Sequence, residues 1–233
     1  MLDTAKDARV LVLEDAIRRL NEIVSNRKLR LHIEYSKLGD ALKTAGALLY
    51  EVKYAYTEAR ALSEMEATKN LVAAMDTFEE FFRTAVDSQG YVPASSGENV
   101  VAAEIDYALR IGRGFQHRLV EHCDDPAYAV DLLAVEITQI SPFEGSKDLM
   151  RCRCTDGSVI WNVVTNLPGI QPGIILPIAA LPPAEIMGAV SEAMFLTGDP
   201  LPESTVLGRL KDVPGGALDK ARAQVLQITK RMT

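Results

Sequence analysis

Residues 148–165 of the chain, DLMRCRCTDGSVIWNVVT, contain its clearest structural signal. Asp156-Gly157 separates two short runs of strand-forming residues, and an Asp-Gly pair in that position strongly indicates a β-hairpin. Similar runs occur before and after this hairpin. The sequence therefore predicts five strands, at Leu132–Ile140, Asp148–Cys154, Ser158–Thr165, Gly173–Ala179 and Gly188–Thr197. Five short strands, with a longer connection at Asn166–Pro172, are typical of a small Greek-key barrel.

The proline distribution places a domain boundary upstream of this region. Pro93 is the only proline in the first 125 residues, whereas the other ten lie between Pro126 and Pro214. Because proline removes a backbone donor and clashes inside a helix, helices are expected in the proline-poor part. We predict an α+β chain with an all-helical domain at 1–125 and a β domain at 126–233. The β domain is expected to end in a helix at Ala217–Arg231.

The helical domain is predicted to be an antiparallel bundle of four helices, because apolar residues recur at alternating spacings of three and four. The longest such series runs from Leu31 to Ala59. It is typical of coiled-coil-like packing and predicts one helix from Leu29 to Leu62, roughly 50 Å long at 1.5 Å per residue. This helix is expected to form a hairpin with the third helix or to meet a second copy, with Gly39 and Gly46 allowing close approach. A homodimer is the predicted assembly.

Two helix starts are indicated by the capping-box spacing. Ser63 is followed three residues later by Glu66, and Ser95 is followed by Glu98. In such a box the serine side chain accepts a hydrogen bond from the backbone N–H of the third helical residue. Both positions are therefore predicted to begin helices.

The charge balance restricts the ways in which the chain can bind nucleic acid. Its net charge is −7. Residues 1–126 hold 16 Lys/Arg against 21 Asp/Glu, and residues 127–233 hold 9 against 11. Neither part has the basic excess of a protein that coats nucleic acid by bulk electrostatics. Any RNA contact must therefore use a local patch.

The N-terminus and the cysteines indicate a cytoplasmic protein. The first residues are acidic where a signal peptide would be basic, and no stretch approaches the roughly 18–20 apolar residues of a membrane span. The three cysteines do not form a disulfide framework, as expected in a reducing compartment. We expect no membrane partner.

The run LPPAEIMGAVSEAMFL at 181–196 resembles the tRNA-binding domain shared by EMAP II-like cofactors, CsaA and some methionyl-tRNA synthetase extensions. Other parts of the β region resemble the same family: the strand Leu133–Ile140, the strand entry Lys147-Asp148-Leu149 and the turn Val163–Asn166. The matching positions of the run are Leu181, Pro183, Gly188, Ser191, Ala193 and Met194. The resemblance implies a five-stranded OB-fold β-barrel that contacts tRNA or rRNA. Two lysines and an arginine of the family's run correspond here to Pro182, Glu185 and Met187, and its asparagine to Ala180.

The RNA-binding candidates lie in both halves of the chain. In the β domain they are polar or aromatic positions on predicted strands or their ends: Lys147, Arg151, Arg153, Trp161, Asn162, Asn166 and Ser191. Trp161 is either a base-stacking residue or part of the core. In the helical domain, Arg110, Arg113 and His117 recur at one-face spacing, and Arg118 adjoins them. These four form either an RNA-facing strip or an ordinary solvated face.

Cys152 and Cys154 are two residues apart on a predicted strand and therefore share one face. They could bind a metal with Cys123 or His122, but this set lacks the spacing of a four-ligand zinc site, which favours buried reduced cysteines. No phosphate-binding loop, metalloprotease motif or nucleophile elbow occurs. We therefore expect a non-catalytic RNA-binding protein without metal or cofactor. The alternatives are a protein-binding adaptor or chaperone-like module and a scaffold of a synthetase or ribosomal complex.

Overall fold

The computed structural model describes residues 3–121, 125–143, 145–213, 215–230 and 232. The chain divides into two compact units. The helical unit comprises residues 1–129 and 225–233, and the β unit comprises residues 130–224. The division thus falls after Ala129, and the end of the chain belongs to the helical unit rather than to the β unit.

In its described residues the helical unit contains six α-helices before its short 3-10 helix, rather than the four that were predicted. The helices are α1 (Ala8–Ser25), α2 (Tyr35–Lys53), α3 (Ala59–Glu64), α4 (Glu66–Gln89), α5 (Ser96–Arg113) and α6 (Phe115–Glu121). The 3-10 helix follows at Pro126–Ala129, and α7 (Gly215–Thr229) lies near the C-terminus. α2 packs against α1 and α4, and α1 also packs against α5.

The predicted helix from Leu29 to Leu62 is wrong, because the chain turns after Lys53. The buried Thr4 hydroxyl donates to the Lys53 carbonyl at 2.8 Å and accepts from the Tyr56 N–H at 3.1 Å. It thereby satisfies one of the carbonyls that a helix leaves without a partner at its C-terminus. Tyr56 adopts a left-handed φ of 49°, which reverses the chain before α3 begins.

The apolar series of α2 packs inside the unit. Tyr35, its first member in the helix, is half-buried. The later members are all buried: Leu38, Leu42, Ala45, Leu49 and Val52. The seam that was predicted to meet either the third helix or a second copy is therefore occupied by neighbouring helices of the same chain.

One of the two predicted capping boxes is confirmed. The Ser95 hydroxyl accepts from the Glu98 N–H at 3.2 Å, while the Glu98 carboxylate accepts from the Ala94 N–H at 3.1 Å. This backbone bond is the main reason why the pKa of Glu98 is lowered, and a bond from Tyr91 adds to it. Ser63 instead lies inside α3, where its hydroxyl donates to the Arg60 carbonyl.

The β unit is an antiparallel sheet with the strand order β3-β2-β1-β4-β5. Its strands are β1 (Leu132–Pro142), β2 (Met150–Thr155), β3 (Ile160–Thr165), β4 (Ile175–Ile186) and β5 (Ala189–Phe195). A short β6 (Gly208–Arg209), which the sequence did not predict, pairs with β1. The five predicted strands are present, but β4 is seven residues longer at its C-terminal end than expected. The sheet is open rather than a closed barrel, because no backbone ladder joins β3 to β5 in the described part of the unit.

β1 lies at the centre of the sheet and changes partners along its length. Its first half pairs with β4, and its second half pairs with β2. A bulge at Thr138, between Ile137 and Gln139, marks the change. Bulges increase local twist and bend the strand that carries them, so the sheet curls at this point.

The run at 181–196 forms the end of β4, a tight turn and β5. Pro182 and Pro183 have no N–H to donate, and the ladder is irregular between Ala180 and Ala184. Met187 and Gly188, at φ of 50° and 81°, connect the paired residues Ile186 and Ala189. Positive φ at both positions is what a two-residue type I′ hairpin turn requires.

The curled sheet encloses one apolar core to which all five long strands contribute. Its buried members are Leu133, Val135, Ile137, Cys152, Cys154, Trp161, Val163, Leu176, Ile178, Ala180, Ala193 and Phe195. On β2 and β3 these residues alternate with exposed ones, which leaves the outer face of these two strands available to solvent. β1 from Leu132 to Val135 and β4 from Leu176 to Ala180 are instead buried on both faces.

Replacing Thr4 by valine tests the tie between the N-terminal segment and the end of α2. Thr4→Val keeps the side-chain shape but leaves the Lys53 carbonyl and the Tyr56 N–H without this partner. We expect the free energy of unfolding, measured by urea titration, to fall by about 1–3 kcal/mol. Thr77→Val, at an exposed threonine bonded to Ala73 within α4, is the matched control and should change it by less than about 0.5 kcal/mol. Equal effects of the two substitutions would contradict this explanation.

Candidate functional site

A positively charged surface lies on the outward side of β1, β2 and β3. Cys152 and Cys154 point into the core, so Arg151 and Arg153 point to the other face of β2, where both are exposed. We call this surface the Arg face. It consists of Gln139 on β1, Arg151 and Arg153 on β2, Asn162 on β3 and Lys147 in the loop between β1 and β2.

The strand register places polar side chains on both sides of Arg153. Arg153 lies opposite Gln139 on one side and opposite Asn162 on the other. Residues that are directly opposite in a sheet project from the same face at a distance of about 5 Å. The central row of the Arg face is therefore an arginine between two amides. These groups are hydrogen-bond donors, and the amides are also acceptors.

Arg151 is held on an aromatic ring. Its guanidinium carbon lies 4.1 Å from the centre of the Phe143 ring, which is itself buried. Such a contact contributes about 0.5–1 kcal/mol at an exposed site. Its more important effect is to restrict the orientations of the planar guanidinium. The N–H groups of Arg151 remain available to bind a ligand.

The loop that carries Lys147 is ordered by its own hydrogen bonds. The Phe143 N–H donates to the Leu149 carbonyl at 3.0 Å, and the Ser146 hydroxyl accepts from the Leu149 N–H at 3.2 Å. Lys147 is exposed at the tip between these bonds. The loop therefore presents an ammonium group at one end of the Arg face.

The side chains of Lys147 and Arg153 form no hydrogen bond or ion pair within the described residues of the chain. This is notable because residues 130–224 contain seven Lys/Arg and eleven Asp/Glu, a net charge of −4. Of the acids near these cations, Asp156 bonds to the turn and Glu192 bonds to Asn162. Glu136 on the outer side of β1 and Asp148 beside Lys147 form no ion pair with the cations of the Arg face within the described residues. The Arg face is thus a local cationic patch on an acidic unit.

Asn162 and Ser191, both RNA-binding candidates, bridge the two edge strands of the sheet. The Val164 N–H on β3 donates to the Ser191 hydroxyl on β5 at 3.0 Å, and that hydroxyl donates to the Ala193 carbonyl. The Asn162 backbone N–H and side-chain Nδ2 both donate to Glu192 Oε2, at 3.0 and 2.8 Å. We call these bonds the β3–β5 seam. Ser191 is buried in the seam, whereas Asn162 stays exposed beside Arg153.

Trp161 is part of the core and offers no stacking surface, being only 2% exposed. Its indole N–H donates to Asp156 Oδ2 at 3.0 Å. Burial opposes ionisation of Asp156, but the bonds from Trp161 and from the Val159 and Ser158 N–H groups outweigh it and lower the pKa of this carboxyl. Trp161 and Asp156 therefore stabilise the hairpin. Asn166 is exposed at the end of β3.

The cations of the helical unit do not form one exposed strip. α5 ends at Arg113 and α6 begins at Phe115, so the helical period that would align them is interrupted. Arg113 lies 3.6 Å from a Glu79 oxygen, and His117 pairs with Glu121. Arg118 is buried and donates to the Ile111 carbonyl. Arg110, in the last turn of α5, is half-buried.

A cavity of about 300 Å³ lies in the helical unit. Charged residues line it, including Asp3, Lys6, Asp7 and Arg9. They pair with one another, since Lys6 lies 3.0 Å from Asp3 and Arg9 lies 2.6 Å from Asp7. Asp125, a third acid in the lining, accepts from the Ala127 N–H at 3.0 Å. Each charged group in the described lining therefore already has a partner within the chain.

The cysteines of β2 are core residues. Cys152 and Cys154 are free and buried. Burial raises the pKa of the Cys152 thiol to about 11 and that of Cys154 to about 12. His122 and Cys123, the other members of the considered metal set, lie outside the described residues. Within the described ranges no three His, Cys, Asp or Glu side chains gather as metal ligands.

Comparison with known proteins concerns the helical unit. Residues 1–120 match the family described as an alpha helical domain. The chain belongs to this alpha helical domain family. No curated protein matches the chain. No helix in the described part of the chain is long and apolar enough to span a bilayer.

Sequence reasoning found the cations of the Arg face but missed two of its contributors. Gln139 joins the face through the register of β1 and β2, and Phe143 joins it through its contact with Arg151. Period-two alternation along β1 would have placed Gln139 on the core side with Val135 and Ile137, and only the bulge at Thr138 moves it to the outer face. For Phe143 no local signal existed, because its contact depends on how the loop folds back.

The raised thiol pKa values predict a loss of stability in alkali. In the unfolded chain the thiols ionise at about pH 8.5, whereas the folded thiols keep their protons up to about pH 11 and 12. The two protonated thiols contribute fully to the stability of the folded chain at pH values below the thiol pKa of the unfolded chain. Above it unfolding releases protons, so the free energy of unfolding should fall by up to about 1.4 kcal/mol per pH unit for each thiol.

Urea titrations from about pH 8 to 10 measure this slope. The reference is Cys123→Ser, which leaves only the two strand thiols, and the comparison adds Cys152→Ala and Cys154→Ala. The alanine substitutions should lower the free energy of unfolding at pH 8. They should also make it decrease less steeply as the pH rises. An unchanged slope would show that the two thiols are not protonated in the folded core.

Proposed function

We propose that this chain is a non-catalytic RNA-binding protein that contacts structured RNA, such as tRNA or rRNA, through the Arg face. The observation that carries the proposal is the group of three exposed cations, Lys147, Arg151 and Arg153, none of which has a carboxylate partner in the described chain. Phosphate neutralisation by such cations supplies most of the affinity of proteins for nucleic acid.

The β unit is proposed to be an OB-fold domain. OB-folds are five-stranded, partly open Greek-key barrels that bind oligonucleotides on the face of strands 2 and 3 and on the β1–β2 and β4–β5 loops. The strand order β3-β2-β1-β4-β5 and the bridged edges of this unit support the assignment. The Arg face occupies strands 2 and 3 and the β1–β2 loop, which is the position where such domains bind.

The resemblance to the EMAP II/CsaA-like tRNA-binding domain supports the same fold and refines the surface. The resembling residues Gly188 and Ser191 have structural tasks in the turn and the seam. The positions that are basic in the family are Pro182, Glu185 and Met187 here, in or beside the β4–β5 turn. We therefore place the RNA on β2 and the β1–β2 loop, away from this turn.

The chemistry of the Arg face favours structured RNA over sequence-neutral single strands. Proteins that bind single strands without sequence preference stack the bases on exposed aromatic rings. The aromatic residues of the β unit are Phe143, Trp161 and Phe195, and all three are buried. Arginine and amide side chains instead bind phosphates, 2′-hydroxyls and exposed base edges, which structured RNA displays at loops and bulges.

Filter binding of total tRNA at about 50–200 mM salt tests the proposal. Arg151→Gln and Arg153→Gln each remove one phosphate contact. Each should therefore weaken binding and reduce the slope of log Kd against log salt by about 1. Adding Lys147→Gln to both substitutions should abolish binding.

Lys220→Gln is the matched control, because it removes one exposed positive charge from α7 in the same part of the sequence. It should leave Kd and the salt slope nearly unchanged. If the wild-type chain binds no RNA near micromolar concentration at the lowest salt, the proposal fails. It also fails if Lys220→Gln weakens binding as much as Arg153→Gln.

The second candidate function is a protein-binding adaptor or chaperone-like module, including a scaffold of a synthetase or ribosomal complex. Three exposed tyrosines near the end of α2 favour it, since Tyr50, Tyr54 and Tyr56 are 68%, 43% and 46% exposed. Tyrosine is enriched at protein interfaces. A partner retained after nuclease treatment in a pull-down, together with no tRNA binding by the pure chain, would favour this function over RNA binding.

A further inference from the structure

α2 presents a continuous exposed stripe opposite its buried face. The stripe consists of Ser36, Asp40, Lys43, Thr44, Ala47, Tyr50, Glu51 and Tyr54, all of them exposed. At 3.6 residues per turn these positions lie within about 60° of Ala47 around the helix axis. No other part of the described helical unit covers them. One face of α2 therefore packs against other helices of its own chain, and the opposite face is left exposed.

The charges of this stripe have no partners within the described chain. Asp40, Lys43 and Glu51 form no side-chain hydrogen bond or ion pair there, whereas charged residues of α1 and α5 such as Asp15 and Glu98 do. Lys43 and Glu51 also cannot pair with each other, because eight residues separate them by about 12 Å along the axis. Opposite charges are thus presented one turn before and one turn after Ala47.

This arrangement is complementary to itself in the antiparallel direction. If a second α2 lies antiparallel with its Ala47 opposite the first, Lys43 of each helix faces Glu51 of the other. Asp40 of each then faces Tyr54, whose hydroxyl can donate to it, and Thr44 faces Tyr50. A two-fold interface requires this kind of self-complementary patch, in which each pair occurs twice.

We propose that the chain self-associates through the α2 stripe, with two copies of α2 packed antiparallel about a two-fold axis at Ala47. The small Ala47 side chain lets the helices approach to about 8 Å, the lower end of ordinary helix packing. Tyr50 and Tyr54, whose ring centres are 4.7 Å apart, supply apolar area on either side of the axis. This proposal concerns assembly and does not depend on RNA binding.

The area of the stripe determines how tightly we expect the two copies to associate. α2 has 19 residues, which gives a contact about 28 Å long. One helix face of that length buries less than the roughly 800 Å² per partner of a standard interface. We therefore expect a reversible dimer with Kd on the order of 10–100 µM.

Charge reversal in the full chain, followed by sedimentation equilibrium over a concentration series, tests the pairing. Lys43→Glu and Glu51→Lys each place two like-charged pairs across the axis and should weaken dimerisation by about tenfold or more. An equimolar mixture of the two single variants should restore it. In the mixed dimer, one copy is acidic at both paired positions and the other is basic at both. The double variant, with the two charges exchanged in one chain, should also dimerise.

Lys69→Glu is the matched control, because it reverses an exposed charge on α4 outside the stripe and should leave Kd unchanged. Circular dichroism of each variant checks that the helices are retained. A wild-type chain that remains monomeric up to about 1 mM overturns the proposal. So does a dimer that persists in both single variants, or a mixture that fails to associate while the wild type does. None of these outcomes bears on tRNA binding, which is measured separately.

Discussion

Hydrogen bonds from β3 to two side chains of β5 hold the β unit in its curled shape. Without a partner, the Val164 and Asn162 N–H groups would be free donors on an exposed sheet edge, which invites association with other chains. Ser191 and Glu192 satisfy both donors at 3.0 Å and bring the two edges of the sheet together. The twelve-residue core follows from this closure, because Trp161 and Val163 of β3 share it with Ala193 and Phe195 of β5. The Arg face depends on the alternation along β2 and β3, which sends the side chains between the core residues outward.

The two units differ in whether their positively charged side chains are paired with acids. In the helical unit, arginines near the protein surface are matched with acids, as in the pairs of Arg19 with Asp15 and Arg83 with Asp106. Such pairs leave little field with which to attract RNA. Arg153 and Lys147 lack this neutralisation, so a chain with a net charge of −7 still presents one cationic surface. Joining two chains through α2 would place two such surfaces in one particle and raise the effective concentration of the second contact.

Local signals in the sequence predicted those features whose causes are local. The Asp156-Gly157 hairpin and the Ser95 cap depend on residues within a few positions of each other, and both are present. The break after Lys53 could not be predicted, because the hydroxyl that ends the helix belongs to Thr4, 49 residues away. The place of Trp161 in the core and the burial of Ser191 depended likewise on the pairing of distant strands. Alternation did assign Arg151 and Arg153 to the outward face, but it could not show that Phe143 and Gln139 lie beside them.

Amide hydrogen exchange at Val164, measured by NMR, tests most directly whether the two edges of the sheet are joined. In the wild-type chain this amide should exchange at least about a hundredfold more slowly than a free edge amide, because it is bonded to a buried hydroxyl. In Ser191→Ala the Val164 amide should lose most of its protection from exchange. The Ile137 amide, which is bonded to the Ile174 carbonyl, should lose less of its protection. A Val164 amide that exchanges as fast in the wild type as in an unfolded chain would contradict the account, because the edges would then be separate and the sheet would not enclose its core.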